Sequence, residues 1–233
     1  MAANDNIGIS NPQEPHLACV FLLDISGSMS GTPIENLNEG IRKFKEEVMM
    51  DDLARSRIDI AIVTFESNVR IVQDFVPLSR MEPITLTAMG STKMADGINT
   101  AIDLVKDRNR FYKKMGTPCF KPWIFMITDG YPDSDQNMET VAERIHDEES
   151  KGSHGKLKFW ACGVGDYDKT TLLKLTNRVI ELKGYNFTSI FNWASESMVA
   201  ISVSDVGNEA RPVRLPQDAR KADPDRDIGE DWD

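Results

Sequence analysis

The chain has 233 residues, with 37 acidic and 27 basic side chains, a formal charge of −10 and a pI near 4.9. This length suits one α/β domain with flanking segments, and the negative charge argues against nucleic acid or an anionic membrane as partner. The three cysteines, Cys19, Cys119 and Cys162, lack a paired spacing that would indicate a disulfide framework.

Residues 1–15 are polar and without periodicity, and we predict a flexible leader there. One α/β domain is predicted over residues 16–204. Apolar residues become sparse after Ser204, so residues 205–233 are predicted to form a disordered, acidic tail that cannot offset its own ordering entropy. No apolar run has the length of a signal-peptide core or a membrane span, so we expect a cytoplasmic protein.

The first predicted strand, residues 16–23, is a continuous apolar run and therefore buried on both faces. It ends in Asp24-Ile25-Ser26-Gly27-Ser28, at the edge where open α/β sheets bind their ligands. Asp24, Ser26 and Ser28 place three oxygen-bearing side chains in one turn, which suits Mg²⁺ or Mn²⁺ better than zinc. Taken alone, this string is equally consistent with a serine-rich turn.

The elements that follow alternate between strands and helices. Thr32, Pro33 and Glu35 predict a helix start with Thr32 as its cap. Only residues 66–68 separate the predicted strands at residues 57–65 and 69–75. This is a hairpin spacing, so these strands are predicted to pair antiparallel at one edge of the sheet. The expected fold is thus a mostly parallel six-stranded sheet with helices on both faces. Its later strands are predicted at residues 57–65, 69–75, 123–128, 157–164 and 179–182, and its later helices at 94–110, 137–150, 170–175 and 190–203.

Two further loops carry oxygen-bearing side chains towards the same edge. Thr92 follows Gly90 and Ser91 and precedes a predicted helix, and Asp129 directly follows the predicted strand at residues 123–128. Each of these three loops lies after a predicted strand or before a helix. Their order and separation along the chain resemble those of a metal site known from one protein family.

These three loops resemble the metal-ion-dependent adhesion site of von Willebrand factor A domains, whose first loop reads Asp-x-Ser-x-Ser. The resemblance implies a three-layer, Rossmann-like fold and a site that binds Mg²⁺ or Mn²⁺, with Ca²⁺ less favoured. It implies that an aspartate or glutamate of a protein partner completes the coordination. Ser91 stands where many relatives have a second glycine. The ligands implied by the resemblance are Asp24, Ser26, Ser28, Thr92 and Asp129.

Within this superfamily, the chain is similar to the bacterial, intracellular TerY-like group associated with tellurium resistance and stress response. The similarity is carried by Leu22-Leu23-Asp24-Ile25-Ser26-Gly27-Ser28-Met29, by Gly31-Thr32-Pro33-Ile34-Glu35, and by Ile127-Thr128-Asp129-Gly130-Tyr131-Pro132-Asp133. It implies a scaffold that works beside kinases and phosphatases.

An enzyme is not expected. His16, His146 and His154 all lie away from the loops of the predicted edge, so the serines lack an evident base. The alternative is a Mg²⁺-dependent hydrolase acting on a phosphoester, with Glu66 or Asp96 as its base. Asp133 and Asp135 follow the third loop and are interpreted as turn formers in preference to a second metal site.

Overall fold

The computed structural model describes residues 8–150, 157–207 and 209–223. The predictions for the first seven residues of the leader and the last ten of the tail lie outside the described residues. No helix in the described part of the chain is both long and apolar enough to cross a membrane.

A seven-stranded sheet forms the centre of the fold. Its strand order is β3-β2-β1-β4-β5-β6-β7. The five central strands are parallel, and the two outer strands pair antiparallel with their neighbours. The strands are β1 Leu17–Asp24, β2 Ile58–Phe65, β3 Val69–Pro77, β4 Trp123–Thr128, β5 Lys158–Val164, β6 Val179–Leu182 and β7 Ala219–Lys221.

The prediction of six strands and one antiparallel edge is corrected by β7. This strand has only three residues, Ala-Arg-Lys, and all three are at least partly exposed. Such a segment has no alternation of apolar and polar residues, so only its pairing with β6 makes it a strand.

Helices cover both faces of the sheet and complete the predicted three layers. Helices α1, α2 and α6 pack with Leu17, Cys19, Phe21 and Leu23 of β1, whereas α3, α4 and α5 pack with the alternate residues of this strand. All eight β1 residues are buried, as the apolar run predicts. The helices are α1 Thr32–Val48, α2 Ala54–Arg57, α3 Met94–Met115, α4 Met138–Ser150, α5 Lys169–Leu175 and α6 Phe187–Ser202.

Several helix boundaries differ from the sequence prediction, and α6, for example, begins at Phe187, three residues before its predicted start. The cap of α1 is Gly31, at a φ of 80°, and Thr32 is already the first helical residue. Helix α3 continues to Met115 because Tyr112 is buried and its hydroxyl donates to Asp59 at 2.5 Å, so part of the predicted linker is helical.

The described parts of the predicted leader and tail pack onto the domain. Ile9 is buried, and Arg108 donates a hydrogen bond to the carbonyl of Gly8. On the other side, the indole N–H of Trp193 donates to the carbonyl of Val213 at 2.8 Å. These contacts attach Gly8, Ile9 and Val213 to the domain, while the flexible leader over residues 1–15 and the disordered tail over residues 205–233 stay predictions.

The strand order places a switch point between β1 and β4. Helix α1 leads from β1 towards β2 on one side, whereas α3, on the opposite face, leads into β4. Because the two crossings diverge, a crevice opens beyond the carboxyl ends of β1 and β4.

Candidate metal centre

The two predicted carboxylates lie at this switch point. Asp24 is the last residue of β1 and is fully buried, and Asp129 directly follows β4 and is 9% exposed. The two strands are paired in parallel, with Leu23 opposite Ile127. Strand pairing therefore brings both acidic side chains to the same edge of the sheet.

The serines of the first loop, residues 25–31, connect these carboxylates. Ser28 lies in a single turn of 3₁₀ helix, Gly27–Met29, and its hydroxyl donates to Oδ1 of Asp129 at 2.7 Å. Ser26 and Ser28 share a hydrogen bond of 3.0 Å between their Oγ atoms. Because Ser28 has one hydroxyl hydrogen, Ser26 is the donor to Ser28. The first loop is thus joined to the third loop, residues 129–137.

Thr92 completes the predicted set. A methyl group built on Gly130 would lie 3.6 Å from Oγ of Ser28, 3.7 Å from Oδ2 of Asp24 and 3.7 Å from Oγ1 of Thr92. Three oxygen atoms, from the end of β1, the first loop and the second loop, therefore surround one small volume beside the third loop, which remains open because residue 130 has no side chain. All five residues predicted from the sequence meet at this cradle.

Asp24 is fixed by two donors. Its Oδ1 accepts the backbone N–H of Ser26 at 2.8 Å, and its Oδ2 accepts the hydroxyl of Thr128 at 2.6 Å. Thr128 in turn accepts the N–H of Gly130 at 3.2 Å. The sequence analysis missed Thr128; the only signal was a hydroxyl residue at the end of a strand, immediately before the candidate aspartate.

The first loop and the turn between β2 and β3 hold the second loop, residues 81–93. The N–H of Gly27 donates to the carbonyl of Gly90 at 3.0 Å, and the N–H of Ser91 donates to Oγ of Ser67 at 3.0 Å. Gly90 has a φ of 74°, and a side chain there would collide with Glu66 and Ser67. Glycine is thus required at position 90, whereas a serine fits at position 91.

Glu66 supports this second loop. It is 5% exposed, although it lies in the turn between β2 and β3. Its carboxylate accepts hydrogen bonds from the N–H of Ser67 and from the side chain of Asn68, and its carbonyl accepts the N–H of Lys93 at 2.9 Å.

The electrostatics of the cradle favour a cation. Burial raises the pKa of Asp24 to about 6, against the opposing hydrogen bonds of Ser26 and Thr128, and the charge of Asp129 adds to the rise. Burial also raises the pKa of Asp129. Two carboxylates removed from water cost free energy when both are ionised, and a divalent cation beside them would reverse that penalty.

The donor set is made of oxygen atoms alone. Within residues 8–150, 157–207 and 209–223, no group of three or more His, Cys, Asp or Glu side chains could hold a metal ion. A cation in this cradle would therefore depend on the hydroxyls of Ser26, Ser28 and Thr92 together with two carboxylates. Such a set fits a hard divalent cation.

The fold and this edge define a doubly wound α/β domain with an oxygen-lined site at its switch point. The sequence matches the von Willebrand factor type A domain over residues 19–189, more than half of the chain, and the protein belongs to this family. A curated relative is the inter-alpha-trypsin inhibitor heavy chain H1 of Mesocricetus auratus, which is 23% identical over 170 residues. That match covers 68% of this chain and 17% of the relative.

Solved structures share the fold. A von Willebrand factor type A protein from Catenulispora acidiphila matches with a TM-score of 0.58 and 17% identity, over 80% of this chain and 43% of the other. The proximal thread matrix protein 1 of the mussel byssus, whose adhesion-site motif is occupied by zinc, matches with a TM-score of 0.54 and 18% identity. It is matched over 81% of this chain and 45% of its own. This chain therefore spans less than half the length of these relatives.

Replacing Asp24 with asparagine tests the cost of the buried charge. Because the pKa of Asp24 lies above its ordinary 3.8, Asp24 binds more protons in the metal-free folded chain than in the unfolded chain between about pH 4 and 6, and its contribution to stability falls as pH rises through this range. At pH 8 in EDTA, we expect Asp24→Asn to increase the free energy of unfolding by about 1–3 kcal/mol. Urea denaturation measures this change.

The same variant should lose any stabilisation by Mg²⁺. A difference in unfolding free energy between Asp24→Asn and wild type that stays constant between pH 4 and 6 in EDTA would contradict the assignment of a raised pKa to Asp24.

Gly130→Ala tests the cradle itself. The added methyl group would make ordinary contacts of 3.6–3.7 Å, so we expect the stability in EDTA to change by less than about 0.5 kcal/mol. The methyl group would occupy the space between the ligands, and the affinity for Mg²⁺ should fall by about tenfold or more. Isothermal titration calorimetry measures the affinity; an unchanged value would place the cation elsewhere.

Proposed function

We propose that the protein is a metal-ion-dependent protein-binding module. In this proposal Asp24, Ser26, Ser28, Thr92 and Asp129 hold one Mg²⁺ or Mn²⁺ ion, and an aspartate or glutamate of a partner protein completes the coordination. The observation that carries the proposal is the convergence of the oxygen atoms of Asp24, Ser28 and Thr92 on the volume beside Gly130, with Asp129 bonded to Ser28.

The burial of the five residues gives the site a closed and an open side. Asp24 is fully buried and Ser26 is 2% exposed, whereas Ser28 is exposed. A partner's side chain would therefore enter from the side of Ser28. The bound cation would supply an electrophilic centre for the partner's carboxylate. The two aspartates carry two negative charges, which balance one dication and leave no excess negative charge on the protein side of the site.

Mg²⁺ is the proposed ion because the ligands are hydroxyl and carboxylate oxygens. Five side chains and one carboxylate of a partner would supply the six ligands of an octahedral Mg²⁺ ion, whereas Ca²⁺ takes six to eight, which supports Mg²⁺ over Ca²⁺. Zinc occupies the corresponding motif of the mussel protein, and a titration that compares zinc, manganese and magnesium would rank them for this chain.

A binding role is favoured over hydrolysis by the surroundings of the proposed bases. The carboxylate of Glu66 already accepts hydrogen bonds from Ser67 and Asn68. Asp96 is exposed, on the first turn of α3. His16 lies at the opposite edge of the sheet, just before β1, and its Nδ1 is 3.0 Å from Asp59. These contacts support a site that binds without turnover.

The cellular role is proposed from the three strings that resemble TerY-like proteins. They support a cytoplasmic protein of a bacterial stress-response or tellurium-resistance complex, with a kinase or phosphatase among its partners. No partner of nucleic acid or membrane is proposed, because the net charge of −10 would repel both.

Asp129→Ala should separate metal binding from folding. Asp129→Ala removes a buried charge and one hydrogen bond from Ser28 in a loop after β4, so we expect the variant to remain folded, with a loss of about 100-fold or more in Mg²⁺ affinity because one of two charged ligands is gone. Calorimetry measures the affinity and circular dichroism measures the fold. Asp166→Asn, an exposed aspartate that follows β5, is the matched control and should bind Mg²⁺ normally.

The partner is then sought by capture on immobilised wild-type protein in Mg²⁺. Proteins that elute with EDTA, bind to Asp166→Asn and fail to bind to Asp129→Ala are those that the proposal predicts. Turnover of p-nitrophenyl phosphate by the isolated wild-type chain in Mg²⁺, lost in Asp129→Ala, would instead favour the hydrolase.

A further inference from the structure

We infer that Asp133 is a positioning residue that holds Thr92 in place for the metal. This inference rests on the proposed metal site and identifies the group that fixes its second loop. It assigns to Asp133 a role that the sequence analysis, which interpreted this residue as a turn former, did not find.

Asp133 and Thr92 are joined by a reciprocal pair of hydrogen bonds. The backbone N–H of Thr92 donates to Oδ1 of Asp133 at 3.0 Å, and the backbone N–H of Asp133 donates to the carbonyl of Thr92 at 3.0 Å. Two bonds that close a ring fix both the position and the orientation of the Thr92 backbone. Since Oγ1 is two bonds from the backbone Cα, this pair restricts where the hydroxyl lies.

The local chain would leave Thr92 poorly defined without this pair. Residues 81–91 form neither a helix nor a strand, and α3 begins only at Met94. Other hydrogen bonds hold further residues of this loop, among them Met89, Gly90, Ser91 and Lys93, whereas the bond to Asp133 is made by Thr92 itself. Asp133 is thus the residue that fixes the backbone N–H of the candidate ligand itself.

The pair also couples two candidate ligands. Asp129 and Asp133 belong to the same short loop, four residues apart, and Asp133 is hydrogen-bonded to the loop that carries Thr92. A displacement of the third loop would therefore move Asp129 and Thr92 together. The distance between these two ligands would stay nearly constant, as a metal with strict octahedral geometry requires.

The charge of Asp133 contributes less to the position of Thr92 than its hydrogen bonds do. Its Oδ2 lies 3.6 Å from Nζ of Lys93, whereas Oδ2 of Asp135 lies 2.5 Å from the same nitrogen. Asp135 is 64% exposed and carries the same charge two residues away. It is therefore a matched control that removes a nearby carboxylate without touching the backbone of Thr92.

Three substitutions of Asp133 separate geometry from charge. Asparagine keeps the Oδ1 acceptor and loses the charge; glutamate keeps the charge and moves the carboxylate by one methylene; alanine loses both. We expect Asp133→Asn and Asp135→Ala to bind Mg²⁺ within about threefold of wild type, and Asp133→Glu and Asp133→Ala to bind about 10- to 100-fold more weakly. Calorimetry with Mg²⁺, repeated with Mn²⁺, measures the affinities.

Thermal unfolding in EDTA shows whether each variant is folded, and the asparagine and glutamate variants decide the matter even if the alanine variant unfolds. A loss in Asp133→Asn with normal affinity in Asp133→Glu, or a loss in Asp135→Ala as large as that in Asp133→Asn, would overturn the inference in favour of charge. Normal affinity in Asp133→Glu and Asp133→Ala would overturn it outright. A wild-type chain that binds neither ion would instead refute the proposed metal site.

Discussion

The burial of one carboxylate constrains the whole edge of this domain. Asp24 ends a strand that is covered on both faces, so its charge is removed from water while a second carboxylate, Asp129, lies nearby. Such an arrangement costs stability unless donors or a cation face the oxygens. The N–H of Ser26 and the hydroxyl of Thr128 supply part of that compensation, and a bound dication would supply the remainder.

The positions of the hydroxyl ligands are fixed by hydrogen bonds between loops. Gly27 binds Gly90, Ser91 binds Ser67, and Ser28 binds Asp129, so each loop of the site is held by another. Preorganisation of this kind lowers the entropic cost of gathering ligands from distant segments. It also explains why a single backbone position, Gly90, accepts no side chain while its neighbour does.

The sequence predicted the parts of the fold and site that short-range pattern determines. The apolar run of β1, its abrupt end at Asp24, and the similar end of β4 at Asp129 were sufficient to place both carboxylates at one edge. Thr128, which donates to Asp24, was missed, and Glu66, which supports the second loop, was named only as a possible base. Both roles come from contacts between segments that are distant in the sequence. The strand β7 and the packed segment before β1 were missed for the same reason, since their sequences show no periodicity and only the finished sheet gives them partners.

The direction of β7 has a practical consequence for experiments on this protein. Ala219 pairs with Leu182 and Lys221 with Ile180, so the chain passes from the level of the cradle down towards the amino ends of the parallel strands. The N–H of Ala222 then bonds to the carbonyl of Val179, at the start of β6. An affinity handle or fluorophore joined after residue 223 would consequently emerge at the base of the molecule, and a surface to which it is tethered would leave the oxygen-lined crevice facing the solution.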